Sequence, residues 1–202
     1  MITENARRPA KRTVRPAAET REHILDVAER LFYWDGIRAT GVDKITSEAG
    51  VAPTTLYRLF ASKDDLVAAY VDRYATGYRE WIESVTSAPD IPPRDRILAY
   101  LDGLMETIGP NSFRGCPFLM ALAEYPDPES AAHVSAQAVK AWVRGKLRDL
   151  VTQLPGVDPR TQAVVADQLA LVVEGLYAST AALGNDGPAR QARALAELIL
   201  DS

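Results

Sequence analysis

The chain has 202 residues, of which 47% are hydrophobic and 25% charged, with a single cysteine. This composition is near the globular average and the length suits one or two compact units, which excludes wholesale disorder and fibrous classes. Cys116 alone rules out an intramolecular disulfide and any cysteine metal cluster. No apolar run approaches the roughly 18 residues of a spanning helix, and the opening MITENARRPAKRTVRPAAETR lacks the apolar stretch of a secretion signal, so a soluble cytoplasmic protein with no membrane attachment is expected.

The net charge of −4 conceals an uneven distribution. Residues 1–18 carry Arg7, Arg8, Lys11, Arg12 and Arg15 against Glu4, for +4, whereas residues 19–66 carry −3 and residues 67–202 carry −5. With Pro9 and Pro16 and no apolar period, the first 18 residues cannot bury enough surface to offset ordering, and they read as a flexible basic arm. Such an arm serves either as a solubilising tail or as a DNA-tracking segment.

Helical periodicity begins at residue 19. In TREHILDVAERLFYWDG, apolar Ile24, Leu25, Ala28, Leu31 and Phe32 form an amphipathic stripe, with Thr20 placed to cap the start and Gly36 to end the helix in a left-handed conformation. A second, short helix fits TGVDKITSEAG, with Thr40 and Asp43 spaced as a capping-box variant and Gly50 as terminator. Pro53 suits the first turn of a third helix, which carries Leu56 and Phe60 on one face. Ser62 and Asp65 repeat the cap signature and open a long helix through KDDLVAAYVDRYATGYREWIESV. Further helices are expected over RDRILAYLDGLMETI, Phe118–Tyr125 and approximately 129–153, 159–183 and 188–200. Strand and hairpin signals are absent, so the expected class is all-α.

Two short helices joined by a glycine turn form a helix-turn-helix, whose second helix enters the major groove. Geometry alone does not separate this from an ordinary helix pair; the outward residues do. With Leu56, Leu59 and Phe60 facing the core, Thr54, Thr55, Tyr57 and Arg58 are left to bond phosphates and base edges.

On these residues the stretch GIRATGVDKITSEAGVAPTTLYRLFASKDDL, extended back through ILDVAERLF, resembles the DNA-binding segment of the TetR (tetracycline-repressor) family of bacterial regulators over roughly residues 20–66. The resemblance implies a homodimer on palindromic double-stranded operator DNA. Each protomer would have an N-terminal helix-turn-helix domain (19–66) and a larger helical domain (67–202) that dimerises and takes a small, largely apolar effector. It also implies phosphate contacts from Thr40, Tyr57 and Lys63, and base readout from Pro53, Thr54, Thr55 and Arg58. Ala52 departs from the serine common at the third-helix cap, and Lys44 stands where an acidic residue is frequent, leaving open whether Lys44 faces DNA.

Beyond residue 80 the resemblance fades, although FRGCPFLMALAEYPDP is similar to a segment recurrent in one branch of the family. Tyr78, Trp81, Phe113 and Cys116, with Phe118, Met120, Trp142 and Tyr177, are candidates to line an effector pocket; Tyr100 and Met105 join them as bulky residues that also suit a core. Cys116 reads equally as a buried thiol, and His133 as a surface or capping residue. Two histidines and no ligand-spaced cluster leave no case for a metal or other cofactor. The apolar circumference of TQAVVADQLALVVEGLYASTAALG, with ARQARALAELIL, suits a four-helix dimer interface. No nucleophile–base constellation or phosphate-binding loop supports catalysis. The alternatives are a DNA-binding regulator without a small ligand, or a carrier or enzyme on a helical scaffold.

Overall fold

A computed structural model describes residues 16–108, 113–184 and 186–201. Among them the chain is helical throughout, with no strand: α1 (Ala17–Asp35), α2 (Val42–Ala49), α3 (Pro53–Leu59), α4 (Lys63–Thr86), α5 (Pro93–Thr107), α6 (Pro117–Glu124), α7 (Ala131–Val151), α8 (Gln162–Leu183) and α9 (Ala192–Leu200), with a 3₁₀ turn at Pro188–Gln191. The expected basic arm lies outside the described residues up to residue 15, and Ala17 and Ala18 already belong to α1.

The first two helix starts differ from the sequence expectation. Thr20 is not a cap: it is buried inside α1, where its hydroxyl and amide both donate to the Pro16 carbonyl, at 3.0 and 2.9 Å. Pro16, with extended ψ of 151° and no N–H to place, begins the helix four residues early. Thr40 forms no capping box with Asp43 either. Its hydroxyl donates backwards to the Gly36 carbonyl at 2.8 Å, and α2 starts from Gly41 without a side-chain cap. Gly36 takes a positive φ of 97° but an extended ψ of 146°, so it turns the chain rather than closing a left-handed cap.

The next two junctions follow the sequence signals. Gly50 is left-handed (φ 64°, ψ 33°), and the Val51 amide returns to the Thr46 carbonyl at 3.0 Å, closing α2. Pro53 opens α3 at its first position. Ser62 Oγ accepts from the Asp65 amide at 3.0 Å and starts α4, which at 24 residues is about 36 Å long. One apolar core runs from α1 and α3 through Leu66, Val67, Tyr70 and Val71 of α4 into the body, where α7 lies along α4, α8 on α7, and α9 on α5 and α8.

α8 qualifies the expectation that no apolar run approaches membrane-spanning length, because by length and composition it is apolar enough. Its two charged residues are nonetheless tied to α7: Asp167 accepts from Arg144 at 2.5 and 2.8 Å, and Glu174 from Lys140 at 2.8 and 2.9 Å. Leu171 and Leu183 of α8 remain 70% and 63% exposed on the protomer, with Leu198 of α9 at 70%, leaving an unpartnered apolar surface.

α6 fastens the first three helices to the body. The Glu124 carboxylate accepts from the Ile37 amide at 3.1 Å and the Arg38 amide at 2.7 Å, and Arg38 Nε donates to the Glu124 carbonyl at 2.6 Å. Nearby, the Tyr33 hydroxyl accepts from the Arg114 amide at 2.7 Å, and Tyr125 donates to Asp64 at 3.0 Å. Replacing Glu124 with alanine orphans two amides at once; since hydrogen bonds to charged groups contribute ~1.5–3 kcal/mol and this site is half-exposed, a loss of about 1.5 kcal/mol is expected. Urea unfolding beside Ser62→Ala, expected to lose about 1 kcal/mol as a simple cap deletion, measures it. An unchanged midpoint for Glu124→Ala would deny the tie its energetic role.

Candidate functional site

α3 is held from beneath and open above. Leu56 and Phe60 are buried, the Arg21 guanidinium lies 5.0 Å over the Phe60 ring, and His23 Nε2 sits 3.0 Å from the Ala49 carbonyl, joining α1 to the end of α2. On the other side Pro53, Thr54 and Arg58 are exposed, Thr55 is half-buried, and Tyr57 is 52% exposed. A phenol presented to solvent on so short a helix contributes little to the core; it is available to a partner.

The cations around α3 are unequal. Lys44 donates to Asp35 at 2.8 Å, which holds the ammonium above its ordinary value and the carboxyl below its own, so its charge is already met within the chain. Arg58 and Lys63 make no ion pair among the described residues. Lys63 donates only to the Arg38 carbonyl, at 3.4 Å, and partial burial pulls its ammonium below the usual lysine value. An added anion there would offset that burial by favouring the charged ammonium, as a phosphate contact requires. Thr40 is placed otherwise: it is fully buried, with its hydroxyl engaged by Gly36, so the phosphate contact expected of that hydroxyl is not available in this arrangement.

A second feature lies between the first helices and the body, an open cavity of about 880 Å³. One stripe of α4 forms its wall, Tyr70, Arg73, Tyr74, Gly77, Tyr78 and Trp81, at the three- and four-residue spacing of a single helix face. α1 contributes Asp26, Glu29, Arg30, Tyr33 and Trp34, and the far side is built by Leu104, Thr107, Ile108, Phe113 and Tyr177. Trp81 is set by Gly103, where a Cβ would come within 2.7 Å of the indole. The Tyr78 and Tyr100 hydroxyls are 2.8 Å apart, and Tyr177 donates to Tyr78 at 3.1 Å. Burial holds all three phenols well above their ordinary range and pushes Tyr74 up to about 12, so they are neutral at physiological pH. At the rim, Arg73 binds Asp26 at 2.7 Å and also Glu29.

Of the pocket candidates read from the sequence, Tyr78, Trp81, Phe113 and Tyr177 meet at this cavity. Cys116, Phe118, Met120 and Trp142 do not. Phe118 is buried behind the wall, its ring 5.5 Å from Tyr74 and 5.6 Å from Tyr78. Cys116 is buried at the start of α6, Met120 lies against Gly115, and Trp142 of α7 lies under the Arg79 guanidinium at 5.9 Å. α6 packs on α7, which draws Cys116 and Phe118 into the core and leaves Met120 and Trp142 half-buried beside it. The contribution of α1 to the cavity escaped the sequence reading, which assigned that helix wholly to the head. Tyr33 and Trp34, adjacent aromatics at its end, were the available signal.

The pattern of the family described as "Bacterial regulatory proteins, tetR family" matches residues 24–70. The crystal structure of SCO4454, a TetR-family transcriptional regulator from Streptomyces coelicolor, is similar with a TM-score of 0.84 and 30% identity, covering 91% of this chain and 95% of that one. The HTH-type transcriptional regulator YjdC of Escherichia coli is 26% identical over 180 residues, 89% of this chain and 93% of its own. The HTH-type transcriptional activator FasR of Mycolicibacterium smegmatis is 27% identical over 177 residues, 86% and 76% of the two chains. A helix-turn-helix with an open recognition face, a helical body and a whole-length match to such regulators converge: this chain belongs to the TetR family and is a DNA-binding transcriptional regulator.

Proposed function

We propose that the chain acts as a homodimer on a palindromic operator, with residues 19–66 reading DNA and residues 67–202 carrying dimerisation and effector binding. The observation that carries this reading is the single helix α4, which begins at Lys63 beside the recognition helix and bears the cavity wall through Trp81. Tyr57 and Lys63 are assigned to phosphates; Pro53, Thr54, Thr55 and Arg58 are assigned to base edges. Lys44, neutralised by Asp35, is given a secondary place.

An effector in the cavity would press on α1 and α4 together. Recognition helices of a dimer must match successive major grooves about 34–36 Å apart, so a small tilt of either helix costs both half-sites. The proposed action is release from the operator on effector binding, with repression wherever the operator overlaps a promoter. FasR is named an activator, and in this reading the sign of regulation is set by operator placement. By reciprocity operator DNA weakens effector binding by the same factor.

The DNA contacts are tested by electrophoretic or fluorescence titration on the operator. Lys63→Ala is expected to weaken binding with sequence preference kept and to flatten the salt dependence by about one unit. Arg58→Ala should instead change the motif recovered from a randomised-site selection, a good base contact being worth ~1–3 kcal/mol. Identical salt slopes for Lys63→Ala and wild type, or an unchanged motif for Arg58→Ala, would strip that residue of its role.

The dimer is proposed to form through α8 and α9, on the surface bearing Leu171 and Leu198. Leu171→Glu with Leu198→Glu should convert the protein to a folded monomer in sedimentation analysis, with helical circular dichroism retained and operator affinity reduced at least tenfold through loss of the paired half-site. A dimer that survives both changes would move the interface elsewhere.

A further inference from the structure

We propose that the cavity selects a neutral, planar, polycyclic aromatic molecule bearing a hydrogen-bond-accepting oxygen, with Tyr78 as the donor to that oxygen and Gly77 as the platform for its ring. The inference rests on the reading of this cavity as the effector site and specifies the chemistry of its occupant.

The donor follows from counting protons. Tyr78, Tyr100 and Tyr177 hold three hydroxyl protons, and the two contacts among them consume two. Tyr177 donates to Tyr78, so the contact between Tyr78 and Tyr100 decides where the third proton lies. If Tyr78 donates, the leftover proton falls on Tyr100, which is 1% exposed, does not border the cavity and has no further acceptor among the described residues. If Tyr100 donates, both lone pairs of Tyr78 are filled and its own proton is free on a side chain that borders the cavity. The second arrangement leaves nothing orphaned once a ligand oxygen is present, and a phenol that already accepts two hydrogen bonds is a strengthened donor.

Gly77 supplies the independent observation. It lies in the interior of α4, where glycine is unfavourable relative to alanine. No packing explains it, since a Cβ there would meet nothing within 4 Å. It borders the cavity between Tyr74 and Tyr78, one turn before Trp81. A bare stretch of helix backbone flanked by aromatic rings accepts a flat ring face that a methyl group would hold off.

Charge is selected by what the inner end lacks. The ionic residues bordering the cavity, Asp26, Glu29, Arg30 and Arg73, come from α1 and the facing turn of α4, and each is paired. Around Tyr78, Trp81 and Tyr177 no charged side chain borders the cavity among the described residues, and Lys140, 5.4 Å over the Tyr177 ring, is already paired with Glu174, so an ionised group there would be desolvated without compensation.

Three tricyclic probes of one skeleton test this: fluorenone, which has the acceptor; fluorene, which lacks it; and fluorene-9-carboxylate, which is charged. Tryptophan-fluorescence quenching and calorimetry on the full chain give affinities. Fluorenone is expected to bind at least about tenfold more tightly than either of the others. Tyr78→Phe should abolish the advantage of fluorenone over fluorene, and Gly77→Ala should weaken both severalfold while raising the unfolding temperature. Equal affinity for fluorenone and fluorene in the wild type, a preference that survives Tyr78→Phe, tightest binding of the carboxylate, or no binding of any probe would overturn the inference. Unaltered probe affinity in Gly77→Ala would overturn the platform. Operator titrations run in parallel separate the two readings. Fluorenone selectivity without operator release leaves the ligand class standing and overturns the effector role, whereas operator release by probes bound without ketone preference does the reverse.

Discussion

The carboxylate of Glu124 meeting the amides of Ile37 and Arg38 is the constraint on which the arrangement depends. Those amides belong to the turn between α1 and α2, where helix geometry provides no internal acceptor. By satisfying them from α6, the chain makes the head a continuation of the body. The Arg38 side chain answers with a bond to the Glu124 carbonyl, and the Arg38 carbonyl in turn receives Lys63. The turn, the end of α6 and the start of α4 are thereby locked within a few residues of one another. Any displacement of α1 or α4 at the cavity must be absorbed at this junction or passed through it.

The sequence made the head legible because its signals are local. Gly50, Pro53 and the Ser62–Asp65 pair each encode a backbone conformation within one turn of helix, and each sits where that chemistry demands. Thr20 and Thr40 misled for the complementary reason. A threonine before a helix is equally able to bond back to a carbonyl four residues earlier, and both do so, to Pro16 and Gly36. The choice between a forward cap and a backward bond is made by burial, which periodicity does not report.

The cavity was half legible. Tyr78, Trp81, Phe113 and Tyr177 were identifiable as bulky residues of the body, but which aromatics face a void and which fill the core depends on pairings distant in sequence. Phe118 and Trp142 were drawn into the packing beside α6 and α7, while Tyr33 and Trp34 entered from a helix read as belonging to the head. The interleaving matters for coupling, because residues of α1 and of α4 border the same cavity.

The way α3 is anchored bears on how such a regulator changes over generations. Leu56 and Phe60 carry the helix, while Thr54, Tyr57 and Arg58 make no side-chain hydrogen bond or ion pair within the described chain. Surface substitutions away from buried or bonded features are usually close to neutral for stability. The exposed face of α3 can therefore change with almost no folding penalty. The residues at the α6 junction and around Gly103 have no such freedom. After gene duplication the recognition face is the part of this molecule that is free to diverge first.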